Sequence, residues 1–324
     1  ETVLLYSFYI CLPGLTLAPG DIPVIMRNKV YLIIALCFSC VLNMNAFGKG
    51  GHERTAILMV HFGTTFDDTR AATIDAINEK VQKVFPDVKV VEAYTSRIII
   101  NRLKKRGIDK PTPRQALLRL AADGYTHVVV QGTNVIDGIE AEVLRQEAGL
   151  MAPFFSEIRV GRPLLYSVAD CERVVSVLKE RYATGPAKGQ SLVFIGHGTS
   201  TPANAMYSQI DYMFTAAGAP YIHVATVEGY PTYDTVLTRL RQEKAKKVTL
   251  VPFMFVAGDH ARNDIDGEWR GELEKEGFSV RTVIEGLGQI PGIQDIYIDH
   301  IKEAFNAPVL DAAGMKASYI KENL

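Results

Sequence analysis

The sequence predicts an α/β protein made of two similar lobes, each with a parallel β-sheet, and a functional site in the cleft between them. From Thr55 onward, short apolar runs rich in β-branched residues alternate with amphipathic segments, which is typical of a parallel sheet covered by helices. The second half of the chain repeats the pattern of the first. Polar residues follow several predicted strands directly, at the sheet edge where open α/β proteins bind ligands.

The alternation can be followed element by element in the first half. Apolar residues recur at helical spacing from Ile74 to Val84, and Asp67 or Asp68 is expected to cap this helix. Thr112 directly precedes a proline, an order typical of a helix start. The predicted strands are 56–60, 88–94, 128–131 and 158–161, and the predicted helices are 67–85, 98–105, 115–122 and 140–147.

The internal repeat predicts that the two lobes face each other with their strand ends. The aligned segments are 57–65 with 192–200, and 128–140 with 248–260. Phe62 takes the position of His197 in the first pair, and Glu140 takes the position of His260 in the second. The segment 183–189 between the halves carries the turn residues of a linker. Two such lobes would enclose a cleft.

The region 26–48 is typical of a secretory signal peptide. A short basic stretch precedes an apolar core at 30–42, and Ala46 and Gly48 are small residues at the positions a signal peptidase reads. We therefore expect an exported, periplasmic protein whose mature chain starts near Lys49. A membrane anchor is the alternative, although the core is short for a spanning helix. A lipoprotein signal using a cysteine of the apolar core is a third interpretation.

These features divide the chain into five parts. They are an over-extended start at 1–25, the signal peptide at 26–48, a first α/β lobe at 49–185, a second lobe with the metal ligands at 186–306, and a tail at 307–324. The start contains no methionine before Met26. Contact with a membrane is expected only through the signal or an anchor.

Net charge and cysteine content exclude some interpretations of this chain. The formal net charge of −1 gives no indication of binding to nucleic acid or to a membrane surface. Cys171 is the only cysteine after the predicted cleavage point, so an internal disulfide is excluded and the fold must depend on its core. A homo-oligomer is left open.

The residues that carry chemistry lie at three predicted strand ends of the second half. His197 stands between two glycines after the strand 192–195, Glu228 follows another apolar run, and His260 follows a third. A single histidine is more often structural, but two imidazoles and a carboxylate suit first-row divalent ions such as Co²⁺, Fe²⁺, Ni²⁺ or Zn²⁺. Three protein ligands also leave coordination positions open for a reacting metal.

Other chemistries find little support. There is no glycine-rich dinucleotide motif after a strand, no P-loop and no nucleophile elbow. Ser200 lies near His197, but it is too close in sequence for a catalytic triad to be inferred. The sequence therefore favours a metal site that works without a nucleotide.

Five segments together resemble the anaerobic sirohydrochlorin cobaltochelatases, a family of class II tetrapyrrole chelatases. They are 57–65, 93–96, 196–199, 227–231 and 256–264, and the similarity extends from Thr55 to about Phe305. The resemblance implies two flavodoxin- or Rossmann-like lobes of the chelatase type, with the active site between them. It also implies that His197, Glu228 and His260 bind the metal and that no nucleotide is used.

The activity implied by this resemblance is insertion of Co²⁺ into sirohydrochlorin with release of two protons, a lyase step of anaerobic cobalamin biosynthesis. An imidazole can hold a metal and accept a proton, so His197 is the expected base, and Glu140 is expected to take the second proton. Fe²⁺ and Ni²⁺ are alternative metals. The side chains expected to contact the substrate are Tyr94, Arg97, Arg262 and His61. Phe62 and Phe253 are candidates for the ring faces, but core packing is the favoured interpretation for both.

The expected export of the protein is compatible with two other functions. One is a periplasmic chelatase that acts on iron or haem, and the other is a binding protein that transports a metallotetrapyrrole. Asn134 replaces a histidine that ligates haem in exported relatives, which argues against that haem here. By the same resemblance, His61 stands where relatives have a small residue; it is either a solvent-linked polar residue at a strand end or a candidate axial ligand of a metallated ring. The intact set of His197, Glu228 and His260 favours catalysis.

Overall fold

The computed structural model describes residues 53–182 and 189–306. The predicted over-extended start, signal peptide, tail and nearly all of the predicted linker lie outside the described residues. Within the described ranges no helix is long and apolar enough to cross a membrane.

Within the described residues, two four-stranded sheets form the centre of the two lobes, and all their strands run parallel. The first sheet has the order β2-β1-β3-β4 and the second the order β6-β5-β7-β8. The strands are β1 Thr55–His61, β2 Lys89–Tyr94, β3 His127–Gly132, β4 Glu157–Val160, β5 Gln190–Gly196, β6 Ile222–Thr226, β7 Lys247–Pro252 and β8 Ser279–Thr282. The predicted α/β class with two similar parallel sheets is confirmed.

Helices connect the strands. They are α1 (Asp67–Arg70, a π-helical segment Ala71–Asp75 and Ala76–Val84), α2 Arg97–Lys105, α3 Pro113–Ala122, α4 Ile139–Met151, α5 Val168–Tyr182, α6 Ala205–Ala216, α7 Tyr233–Gln242, α8 Arg270–Lys275 and α9 Pro291–Asn306. A π-helical segment Ala261–Trp269 precedes α8, and short 3₁₀ turns lie at Ala152–Phe154, Pro202–Asn204 and Leu287–Gln289.

Local sequence explains where two helices begin. Helix α3 starts with a capping box, in which the Thr112 hydroxyl accepts the Gln115 backbone N–H and the Gln115 side chain accepts that of Thr112. Helix α1 begins differently from the expectation. Its N-cap residue is Phe66, without a side-chain cap, and Asp67 and Asp68 occupy the first turn, where their charge favours the helix dipole.

The hydrophobic core has three parts. One cluster covers the outer face of the first sheet, another covers the outer face of the second, and the largest contains side chains of both sheets and of α1, α5, α6 and α9. Helix α9 follows the second sheet in sequence but packs on the first. Its Tyr297 hydroxyl lies 3.0 Å from the Asn134 carbonyl, and Arg159 donates to the carbonyl of Ala304 at 2.8 Å. The last helix therefore joins the two lobes.

Candidate active site

A cavity of about 700 Å³ lies where the carboxyl ends of the two sheets meet. Its wall comes from both lobes and includes His197, Glu228, His260 and Glu140. Pockets that hold small-molecule ligands in proteins usually span roughly 300 to 1,000 Å³, so this cavity has the size of a ligand site.

Backbone contacts place His197 and Glu228 side by side. The Glu228 N–H donates to the His197 carbonyl oxygen at 2.8 Å, which ties the loop after β6 to the loop after β5. Gly198 has φ +90°, and a β-carbon there would lie 2.7 Å from the Glu228 carbonyl. Only glycine allows both the conformation and the approach. The Gly-His-Gly pattern therefore serves to bring two functional loops together.

The imidazoles of His197 and His260 are in contact. Their ring centroids are 4.7 Å apart and the rings are nearly perpendicular, at 89°. Nδ1 of His197 lies 3.2 Å from the Gly198 carbonyl, and Nδ1 of His260 lies 2.6 Å from the Asp264 carboxylate. Both partners only accept hydrogen bonds, so in the neutral rings each Nδ1 carries the proton. The lone pair of each Nε2 is then available to a metal or a proton.

Glu228 lines the same cavity as the two histidines. Among residues 53–182 and 189–306, however, no group of three or more His, Cys, Asp or Glu side chains lies close enough together to hold a metal ion. The three predicted ligands thus share one wall without forming a closed ligand set, and their metal-binding roles stay a prediction.

The two lobes present matching positions to the cavity. Ser96 donates its N–H to the Phe62 carbonyl at 3.2 Å, as Glu228 does to His197 in the second lobe. Together with the sequence repeat, this pairs Phe62 with His197, Ser96 with Glu228, and Glu140 with His260. All six line the cavity. One wall therefore has a histidine–glutamate–histidine set, and the other has phenylalanine, serine and glutamate at the same positions.

The lobes approach each other at two related points. A β-carbon on Gly138 would lie 3.8 Å from the Thr199 hydroxyl oxygen, and one on Gly258 would lie 3.8 Å from that of Thr64. The internal repeat aligns Gly138 with Gly258, and Thr64 with Thr199. The two lobes thus approach each other closely at two equivalent positions of the repeat.

Two predicted substrate contacts, Tyr94 and His61, do not line the cavity. Both are buried, with Tyr94 0% and His61 1% exposed. Burial raises the pKa of the Tyr94 phenol above its usual range, and it lowers the pKa of His61 to about 4. Both ring nitrogens of His61 are occupied, by Thr133 and Asn78 at 3.1 Å each. His61 therefore has no free nitrogen for an axial metal ligand, and the expectation of a cleft residue is wrong.

The predicted arginines lie outside the cavity wall. Arg97 is exposed at the start of α2. Arg262 lies at the rim, with its guanidinium 4.3 Å from the ring centre of Phe66, which does line the cavity. Phe62 and Phe253 both line the cavity, and Phe253 is also fully buried in the core, whereas Phe62 is half exposed.

Sequence reasoning missed the charged residues Arg102, Asp259 and Asp264. Arg102 and Asp259 line the cavity, and Asp264 orients His260. The four-residue spacing of His260 and Asp264 on a helix was a signal that could have identified the latter. No sequence pattern connects Arg102 with Asp259.

Comparison with solved structures shows which proteins share this fold. SirB from Bacillus subtilis with Fe³⁺ has a TM-score of 0.59 at 17% identity, covering 78% of this chain and 95% of that one. The sirohydrochlorin chelatase SirB in complex with cobalt has a TM-score of 0.56 at 16% identity, covering 78% and 96%. The chain therefore shares its fold with these two structures.

The sequence assigns the chain more narrowly. Residues 55–306 match the model of the cobalt chelatase (CbiK) family, and the chain belongs to this family of enzymes. It is 37% identical over 265 residues to the sirohydrochlorin cobaltochelatase of Salmonella typhimurium, covering 80% of this chain and 100% of the relative. It is 31% identical to the sirohydrochlorin cobaltochelatase CbiKC of Nitratidesulfovibrio vulgaris, covering 78% and 92%. The resemblance inferred from the sequence motifs is confirmed.

Proposed function

We propose that this chelatase inserts Co²⁺ into sirohydrochlorin and releases two protons. Its relatives in Salmonella and Nitratidesulfovibrio are named sirohydrochlorin cobaltochelatases, which supports the proposal. The observation that carries the proposal is the contact of His197 and His260 in the cavity wall, with both Nδ1 atoms engaged. Their Nε2 atoms are suited to receive a divalent metal, and Glu228 adds a carboxylate to the same wall.

Proton and charge balance assign a role to each base. The macrocycle loses two pyrrole N–H protons when a divalent metal enters, so the charge taken in equals the charge released. His197 holds the incoming metal through Nε2. As the metal moves to the ring nitrogens, that lone pair becomes free and accepts one proton. Glu140, on the opposite wall, accepts the other.

The difference between the two walls supports a direction of metal entry. The second lobe presents nitrogen and oxygen ligands, whereas Phe62 of the first lobe presents an aromatic face at the position equivalent to His197. A flat macrocycle between them would rest against Phe62 of the first lobe and receive the metal from the second lobe. Binding of the ring and delivery of the metal are thus separate tasks of the two lobes.

An anaerobic absorbance assay with sirohydrochlorin and Co²⁺ tests the proposal. The wild-type protein should accelerate metal insertion, and His197→Ala and His260→Ala should each abolish most of the acceleration while sirohydrochlorin still binds. His127→Ala is the matched control, because this imidazole lies at the start of β3 and bonds only to Thr126 at 2.9 Å. Unchanged rates in both cavity variants would show that the catalytic assignment is wrong.

The same assay distinguishes the alternative functions. Fe²⁺ and Ni²⁺ are run beside Co²⁺, because a set of two histidines and one glutamate does not select among these ions by affinity alone. Faster insertion of Fe²⁺ than of Co²⁺ would indicate an iron chelatase. Binding of the ring without insertion of any metal would indicate a carrier.

We also propose that the chain is exported. The support is the basic, apolar and small-residue order of 26–48. Mass spectrometry of the protein purified from its native cells should give a mature amino terminus near Lys49. An intact sequence through residue 48 would contradict export by a cleaved signal.

A further inference from the structure

One ion pair crosses the mouth of the cavity from lobe to lobe. Nη1 of Arg102, on helix α2 of the first lobe, lies 2.8 Å from the carboxylate of Asp259 in the second lobe. Both residues line the cavity. Their side chains are 55% and 43% exposed, so water and solutes reach the pair.

Arg102 forms a binding site for a carboxylate. In this structure the carboxylate that occupies the site is that of Asp259. A guanidinium binds carboxylates through paired N–H donors, and it does not distinguish an aspartate from a carboxylate on a ligand. An ion pair this exposed is weak, so a carboxylate of a bound ligand can replace Asp259 at little cost. Arg102 keeps its positive charge when the ligand carboxylate replaces that of Asp259.

We propose that Arg102 binds a peripheral carboxylate of the tetrapyrrole substrate, which takes the position that Asp259 holds in this structure. The proposal rests on the proposed function, because sirohydrochlorin carries eight carboxylates around its ring. Asp259 then competes with the carboxylate of the substrate for Arg102. The exchange takes place at the residue next to His260, on the wall that supplies the metal.

Neighbouring charges do not offer the same site. Arg262 does not line the cavity: its guanidinium lies over the Phe66 ring, 3.5 Å from Asp68. Arg106, one helical turn after Arg102, donates to the Thr65 carbonyl at 2.6 Å and pairs with Asp67. Arg106 does not line the cavity, so it provides a matched control on the same helix.

Metal-free binding of sirohydrochlorin, followed by quenching of its fluorescence, separates competition from a merely structural tie. Arg102→Ala should weaken binding on the order of tenfold, the usual effect of losing a charged hydrogen bond. Asp259→Asn should tighten binding, because it removes the competitor and leaves Arg102 in place. In the Arg102→Ala background, Asp259→Asn should have no further effect. Arg106→Ala should bind like the wild type.

A structural tie between lobes predicts a different pattern, in which Arg102→Ala and Asp259→Asn weaken binding equally. That result, or wild-type affinity in Arg102→Ala, overturns the proposal for Arg102 alone. Failure of the wild-type protein to bind sirohydrochlorin overturns the proposed function as well. Arg102→Lys is a second variant that guards against a folding defect in Arg102→Ala. It keeps the positive charge but loses the paired N–H donors. An affinity between those of the wild type and Arg102→Ala supports the proposal, and an affinity as low as that of Arg102→Ala contradicts it.

Discussion

The carboxylate of Asp264 lies 2.6 Å from Nδ1 of His260, one helical turn further along the chain. A carboxylate behind a histidine keeps the proton on the nitrogen that faces it and leaves the other nitrogen for a metal. The two residues lie at the start of the π-helical segment Ala261–Trp269, a type of irregular helix often found at functional sites.

Replacing Asp264 should therefore weaken metal binding without removing any of the proposed ligands. We expect Asp264→Ala to lower the affinity for Co²⁺, or kcat/KM for Co²⁺, by about 10- to 100-fold, as is usual for the loss of such a partner. Calorimetric titration with Co²⁺ and the insertion assay measure this. Asp266→Ala is the control, because Asp266 pairs with Arg270 at 3.3 Å instead of His260. Equal Co²⁺ affinity in the two variants would contradict the orienting role.

Gly198→Ala should lower the catalytic activity by more than its loss of stability explains. The positive φ costs about 1–3 kcal/mol for a residue with a side chain, and the new methyl group would force the Glu228 loop away. Gly218→Ala shares the strain, at φ +77°, but its β-carbon would have no atom within 4 Å. We expect similar losses of unfolding free energy in urea, and a fall of at least about tenfold in kcat only for Gly198→Ala. Normal turnover in both variants would show that the loop contact is dispensable.

The free energy of unfolding at acid pH should depend on His61. Its pKa is about 4 in the folded protein and about 6.5 when the chain is unfolded, so only the unfolded chain takes up a proton as the pH falls between these values. The folded state therefore loses roughly 3 kcal/mol from this group between pH 7 and pH 4. His61→Gln should lower stability at pH 7 but show a smaller loss on acidification, measured by urea unfolding. A loss on acidification as large as that of the wild type would be the contrary result.

Glu140→Gln tests the second proton acceptor. The amide keeps the shape of the side chain but cannot accept a proton, so we expect kcat to fall by about 10²- to 10⁴-fold. Co²⁺ affinity should change little, because the proposed ligands lie on the other wall. Glu142→Gln is the control on the same helix, since Glu142 pairs with Arg145 at 2.7 Å and does not line the cavity. A normal kcat in Glu140→Gln would assign the second proton to another group.

Much of the fold follows from local patterns. Apolar runs predicted β1 and β5, Thr112 followed by Pro113 predicted the start of α3, and the internal repeat predicted two sheets of the same kind. These features depend on neighbouring residues or on periodicity, which a single sequence contains. The glycines around His197 likewise indicated a turn at a strand end, where the cavity lies.

What the sequence alone determined is the two-lobed α/β class, the residue types at the strand ends and the family. Only the tertiary structure decided which side chains face the cavity. His61 and Phe62 are adjacent, yet one is buried beside Thr133 and the other lines the cavity. Arg102 meets Asp259 across 157 positions of the chain. Contacts of this kind depend on how two separate sheets pack against each other, and neither periodicity nor residue preference carries that information.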